Sequence, residues 1–169
     1  MDSSGIAIVS GASSGLGEAF ARVLAEAAAG AARYKGLPAF DELWLVARRA
    51  DRLDSLAAEL CRAAPGLTVR AVASDLVAGG AVESLAVKAT ETGKPLRVLV
   101  NNAGYGTYGN LDDTDIDRLL GQIDLNCRAL TECCARFSPL LADGSVVINV
   151  ASLAAFAPLG GFAAYAASK

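Results

Sequence analysis

At 169 residues the chain is long enough for one domain with a buried core and too short for two comfortable ones. Hydrophobic residues make up 53% and charged ones 20%, which excludes a disordered or solvating chain. The net charge is −3 with Lys and Arg scattered, which offers nucleic acid no basic footprint, and the absence of histidine excludes Ser-His-Asp and Cys-His catalysis and His-ligated metals.

The first segment, GIAIVSGASSGLGEAFARVLAEAAAG, reads as strand, Gly-rich turn and Ala/Leu-rich helix. A looser stretch from Gly30 to Asp41 leads to a second strand around Leu43–Ala47. The helix that follows places Leu53, Leu56, Ala57 and Leu60 on one face and stops at Pro65-Gly66. LTVRAVASD supplies a third strand, and Gly79 to Thr92 a helix with Val82, Leu85, Ala86 and Ala89 inward. LRVLVNNAG is a fourth strand and its turn. A long helix is expected from Asp112 to Phe137, capped by Thr114 or Asp113, with Ile116, Leu119, Leu120, Ile123, Leu130 and Cys134 as its apolar side. SVVINVAS, beginning at Ser145, supplies a fifth strand.

Short strands alternating with helices predict an α/β fold with a mostly parallel sheet, because each helix crosses between parallel neighbours. The strands are continuous apolar runs, which predicts burial on both faces. No apolar run approaches the roughly 20 residues of a membrane span, and no signal-peptide pattern opens the chain, so a soluble, cytoplasmic protein without a membrane partner is expected. Cys61, Cys127, Cys133 and Cys134 form no C-x-x-C pair and read as reduced structural thiols with no metal site.

Ligands in such sheets bind beyond the carboxyl ends of the strands. In SGASSGLG, Gly11, Gly15 and Gly17 allow a tight turn and close backbone approach, and the following helix N-terminus presents free N–H groups to a phosphate. At the end of the second strand stand Ala47, Arg48 and Arg49, with no carboxylate to accept from a ribose 2′-OH, so NADP(H) is preferred over NAD(H). Asp75 can accept from an adenine amine or cap the next turn. In NNAG, Gly104 permits close cofactor approach and the Asn side chains tie the turn to its neighbours.

A carbonyl reduced by hydride needs a proton at its oxygen, and without histidine a phenol can deliver it. Tyr165 and Lys169 are spaced i, i+4 on a helix, so both reach one site and the ammonium favours the phenolate. Ser152, directly after the fifth strand, can hydrogen-bond a substrate carbonyl or cap a helix. Asn126, polar on an apolar helix, needs a buried partner or a water and can belong to a proton path.

With SGASSGLG, NNAG and YAASK in place, the chain resembles the short-chain dehydrogenase/reductase family, in its single-domain branch, from Gly5 to Lys169. The resemblance implies a three-layer Rossmann-type doubly wound sheet in the order 3-2-1-4-5, with residues 1–169 forming one NADP-binding domain. It implies a tetrad of Asn126, Ser152, Tyr165 and Lys169, with Tyr165 as acid/base and Lys169 also on the nicotinamide ribose. It further implies that Gly11, Ser13, Ser14, Gly15, Leu16 and Gly17 hold the cofactor with Arg48, Asp75 and Leu76, while Asn102, Ala103 and Gly104 line the cleft. The implied activity interconverts a small or medium-sized alcohol and its carbonyl, in a homo-oligomer. The other reading is a non-catalytic nucleotide-binding module or inactive fragment. Members of this branch continue through further strands after the Tyr/Lys helix, so the chain is expected to be the incomplete N-terminal part of such a domain, with little activity of its own.

Overall fold

The computed structural model describes residues 5–157 and 159–169. Five strands form one parallel sheet: β1 (Ile6–Ser10), β2 (Glu42–Ala47), β3 (Thr68–Ala73), β4 (Leu96–Asn101) and β5 (Leu141–Asn149). Their order is β3-β2-β1-β4-β5, the Rossmann-type arrangement expected from the sequence. The chain leaves β1 in opposite directions across the sheet, first toward β2 and β3 and then back past β1 to β4 and β5. A crevice therefore opens beyond the carboxyl ends of β1 and β4.

Alternation of side chains along β1 creates the two halves of the core. Ala7 and Val9 pack with Leu24 of α1 (Gly15–Ala28) and with Leu53, Leu56 and Leu60 of α2 (Ala50–Ala63). Ile6 and Ile8 face the other way, against Val82 and Leu85 of α3 (Ala81–Glu91) and Cys133 and Phe137 of α5 (Leu130–Phe137). Burial on both faces holds for β1, β2 and β4; β3 and β5 are only half-covered among the described residues, because each is paired on one side. Among those residues no helix is long and apolar enough to cross a membrane. The four cysteines are free thiols, and burial pushes the Cys133 thiol up to about 12, which leaves it unreactive near neutrality.

Three boundaries differ from the sequence reading. The fifth strand starts at Leu141 rather than Ser145: after Leu96 pairs with Leu141, the register jumps so that Val98 meets Val146. Gly144, at φ +77°, takes up the extra residues, and the Ser145 hydroxyl donates to Leu96 O at 2.7 Å. The long helix begins as α4 (Ile116–Ile123), capped by Asp115 instead of Thr114 or Asp113, with the Asp115 carboxylate accepting the Asp117 N–H at 2.8 Å. Its hydrogen-bond ladder then widens into a π-helical segment, Asp124–Ala129, before α5. A sixth helix, α6 (Ala163–Ser168), follows β5.

The predicted apolar side of α4 is also corrected. Ile116, Leu120 and Ile123 are exposed among the described residues, while Gln122 and Asn126 are buried. Periodicity located the apolar stripe, but the loop packed on the other side of α4 recruits polar groups because it has backbone amides to satisfy.

At the amino ends of the strands, Glu42 is 2% exposed and accepts from Trp44 Nε1 at 2.7 Å, from Arg70 and from Lys94 Nζ at 3.3 Å. Asp41 accepts from the Gly5 N–H at 2.9 Å and from Lys94 at 3.0 Å. Burial alone pushes both carboxyls up, but these donors outweigh it and hold both below the ordinary carboxylate range. Folded values below unfolded ones mean stability that is present above the unfolded range, around pH 4, and is lost as pH falls through the depressed folded values. Urea midpoints should therefore fall as pH drops below about 4. Lys94→Met, which removes the shared cation, should cost roughly 1–2 kcal/mol at pH 7 and flatten that pH dependence.

Candidate active site

A cleft of about 620 Å³ opens beyond the carboxyl ends of β1, β2 and β4 and extends to α6. Its floor is built at Ser10, the last residue of β1, which is 5% exposed. The Ser10 hydroxyl donates to Val100 O at 3.2 Å and accepts the N–H groups of Asn102 at 2.9 Å and Ala103 at 3.0 Å. The Asn102 side chain returns the tie by donating to Ser10 O at 3.0 Å. Asn101 bridges outward, its Nδ2 donating to Asn149 Oδ1 at 2.8 Å.

The glycine turn closes on this junction. A Cβ on Gly11, at φ +67°, would lie 2.7 Å from Asn102 Nδ2, and one on Gly17 would run into the Gly11 carbonyl. These two glycines thus bring the start of α1 against the end of β4. Ser14 sits in extended backbone at the N-cap of α1 and makes no side-chain cap bond, so the first-turn N–H groups face the cleft side without a side-chain partner. Gly11, Ser13, Ser14 and Leu16 line the cleft; Gly15 and Gly17 do not, and act by shaping the turn.

The rim beyond β2 carries the positive charge. Arg48 is exposed and lines the cleft, and among the described residues it makes no salt bridge. Arg49, which the sequence reading did not assign, bends over the turn: its Nη2 donates to Ser13 Oγ at 2.9 Å and Ser14 Oγ at 2.8 Å. Two consecutive arginines left open which one would turn back to the glycine loop. Asp75 and Leu76 line the same end, with Asp75 Oδ1 accepting the Val77 N–H at 3.3 Å in its own turn, while Gly80 occupies the N-cap of α3.

Asn102, Ala103 and Gly104 carry the wall toward α6, where Tyr165 and Lys169 both line the cleft. Lys169 Nζ donates to Val150 O, fixing it over the end of β5. Asn126 does not line the cleft. It is 3% exposed and holds the wall from behind, its Oδ1 accepting the Tyr105 N–H at 3.0 Å and its Nδ2 donating to Tyr105 O and Ser168 Oγ, each at 2.9 Å. Ser168 Oγ in turn donates to Tyr165 O at 2.9 Å, so Asn126 connects the wall to α6. Ser152 caps the short turn Leu153–Ala155, its Oγ accepting the Ala154 N–H at 3.2 Å, and its neighbour Ala151 is the residue that lines the cleft.

The residues present fit a dinucleotide: a glycine turn held close against the end of β4, where a Cβ on Gly11 or Gly17 would clash, a helix N-terminus without a side-chain cap, and arginines among the residues lining the cleft. Toward α6 a phenol and an ammonium share a wall, a pair able to exchange a proton with an oxygen placed between turn and helix.

Residues 5–169 match the family model for short chain dehydrogenase. Glycine betaine reductase ATRR of Emericella nidulans is 34% identical over 166 residues, which are 97% of this chain and 12% of that protein. A metagenomic short-chain oxidoreductase, solved in complex with NADP, superposes with a TM-score of 0.83 at 30% identity over 99% of this chain and 72% of that one. A short chain dehydrogenase/reductase from Burkholderia phymatum, solved in complex with NAD, gives 0.81 at 26% identity over 98% and 55%. The chain spans less than two thirds of the first curated relatives it matches, 12% and 65% of their lengths.

Ser10→Ala should cost about 2–3 kcal/mol in urea unfolding, because it leaves the Asn102 and Ala103 amides unsatisfied beneath the cleft. Ser10→Thr keeps the hydroxyl and should lose markedly less. Equal losses would place the stabilisation elsewhere.

Proposed function

The chain belongs to the short-chain dehydrogenase family, and from that premise we propose that residues 1–169 form the NADP-binding Rossmann domain of an oxidoreductase that interconverts an alcohol and a ketone or aldehyde. The observation that carries this reading is that Tyr165 and Lys169 line the same cleft as the glycine turn and Arg48. Gly11, Ser13, Ser14 and Leu16 bind the pyrophosphate side of the cofactor, with Gly15 and Gly17 keeping the turn open to it. Arg48 receives a 2′-phosphate, and the absence of a carboxylate after β2 favours NADP(H) over NAD(H), since an acid there would repel that phosphate. Asp75 and Leu76 flank the adenine; Asn102, Ala103 and Gly104 border the nicotinamide side. When bound, the nicotinamide supplies or accepts the hydride.

The chain's own residues then manage the proton. Tyr165 donates to the carbonyl oxygen in reduction and takes the proton back in oxidation. Lys169, anchored on Val150 O, holds positive charge at that wall and keeps two further N–H donors for the cofactor ribose. The Ser152 hydroxyl, accepting from Ala154, still has its own proton to donate to a substrate oxygen and so orients the carbonyl. Asn126 fixes the Tyr105 backbone and supports a proton path behind the wall. The substrate is a small or medium-sized apolar molecule, a reading supported by exposed Leu153, Phe156 and Leu159 beside α6. Self-association through the exposed Ile116, Leu120 and Ile123 stripe of α4 belongs to the same reading.

With the full-length protein, NADPH and a panel of carbonyl compounds, absorbance of the reduced nicotinamide should fall. Tyr165→Phe should lose about 10²- to 10⁴-fold in turnover with NADPH binding retained, and surviving turnover would remove the acid/base role. Binding without any turnover by the unaltered protein would favour a nucleotide-binding module. Arg48→Ala should weaken NADPH binding about ten-fold and leave NADH unaffected. Sedimentation of Leu120→Asp should give a smaller species than the unaltered protein; identical sedimentation would place any self-association elsewhere.

A further inference from the structure

Gln122 is fully buried and has no part in the reading above. It lies one helical turn before Asn126 and points into the same loop. Its Oε1 accepts the Thr107 N–H at 2.6 Å, while Asn126 brackets the Tyr105 backbone with two hydrogen bonds. The two side chains therefore pin residues 105 and 107 to the helix, while Gly106 between them is exposed and Thr107 is buried.

Gly106 is where the Tyr165 ring rests. A Cβ on Gly106 would lie 2.9 Å from Tyr165 Cδ2 and 3.1 Å from Cγ, closer than carbon atoms approach, so ring and backbone are in direct contact. Phe162 meets the same ring edge-on, with centroids 5.9 Å apart. The Tyr165 ring is thus seated between one aromatic side chain and a backbone segment whose height is set from beneath. Gln122 holds that amide at a cost, since its own Nε2 is buried with no partner among the described residues, a penalty an apolar side chain would avoid only by leaving the Thr107 N–H without its acceptor.

We infer that Gln122 is a positioning residue: by holding the Thr107 amide it sets the level of Gly106, and through it the orientation of the Tyr165 ring. The inference rests on the reading of Tyr165 as the acid/base group, where a displacement on the order of 1 Å is enough to slow proton transfer strongly. Gln122 touches neither substrate nor cofactor and acts only through the loop.

The test uses the full-length protein carrying ¹³Cζ-labelled tyrosine; residues 1–169 contribute the resonances of Tyr34, Tyr105, Tyr108 and Tyr165. The Tyr165 resonance is assigned by its loss in Tyr165→Phe. At one pH and without cofactor, Gln122→Met and Gly106→Ala should each move the Tyr165 resonance and leave that of Tyr34 in place. In turnover, each should lower kcat about ten-fold with KM and NADPH Kd within about two-fold, and the double variant should lose no more than the worse single one. A folded Gln122→Met protein with an unmoved Tyr165 resonance and unchanged kcat overturns the inference, as do losses that multiply in the double variant. Hydrogen exchange of the Thr107 amide in the unaltered protein needs no variant: slow exchange is expected of an amide held by Gln122, and fast exchange overturns the clamp. Resonance and exchange do not depend on turnover, so absence of carbonyl reduction in the unaltered protein would sink the proposed function while leaving the clamp to be judged on its own readouts.

Discussion

The cleft depends on one hydroxyl. Ser10 closes β1, and its Oγ ties together the ends of β1 and β4 through one donated and two accepted hydrogen bonds. Parallel neighbours joined at that point, with connections departing to opposite sides, leave a crevice that no helix can fill. The glycine turn then has to pass over the junction, and the contact between Gly17 and the Gly11 carbonyl brings α1 down onto it. Without the Ser10 tie, the part-buried amides of Asn102 and Ala103 would lose their acceptor, and the wall they begin would have no fixed origin.

That wall is a short segment without regular secondary structure, paired with no strand among the described residues, and this explains why the inner face of α4 is polar. Residues 105 and 107 have backbone groups that a neighbouring strand would ordinarily satisfy. Asn126 and Gln122 take the place of that strand, one helical turn apart, and the π-helical widening at Asp124–Ala129 carries Asn126 within it. A locally widened helix costs hydrogen-bond quality and is found most often where a side chain has to be re-aimed. Here it accompanies a side chain that reaches both the loop and Ser168 of α6. The helix, the loop and the Tyr/Lys segment therefore form one polar unit packed against an otherwise apolar sheet.

Much of this was legible in the residues. The strands, their parallel arrangement and the glycine turn followed from apolar runs bounded by Gly and Pro, because those signals act over a few residues and need no partner. The i, i+4 spacing of Tyr165 and Lys169 carries to a shared wall for the same reason. Less legible were the features set by distant chain. The start of β5 depends on a bulge opposite Leu96, and the choice of Arg49 over Arg48 to contact Ser13 and Ser14 depends on how α2 leaves β2. Gln122 had a faint signal, a second amide four residues before Asn126, but amides on a helix are ordinarily solvated, so the spacing alone had no direction.

The sequence by itself determined the elements, their crossover order through its family resemblance, and the chemical types available at the sheet edge, since propensity, turn chemistry and side-chain period are local properties. Only the tertiary structure decided which face of α4 turns inward, which arginine bends over the turn and what the Tyr165 ring rests on. Each of those depends on satisfying a buried amide or excluding a Cβ across tens of residues, and no local pattern records the partner.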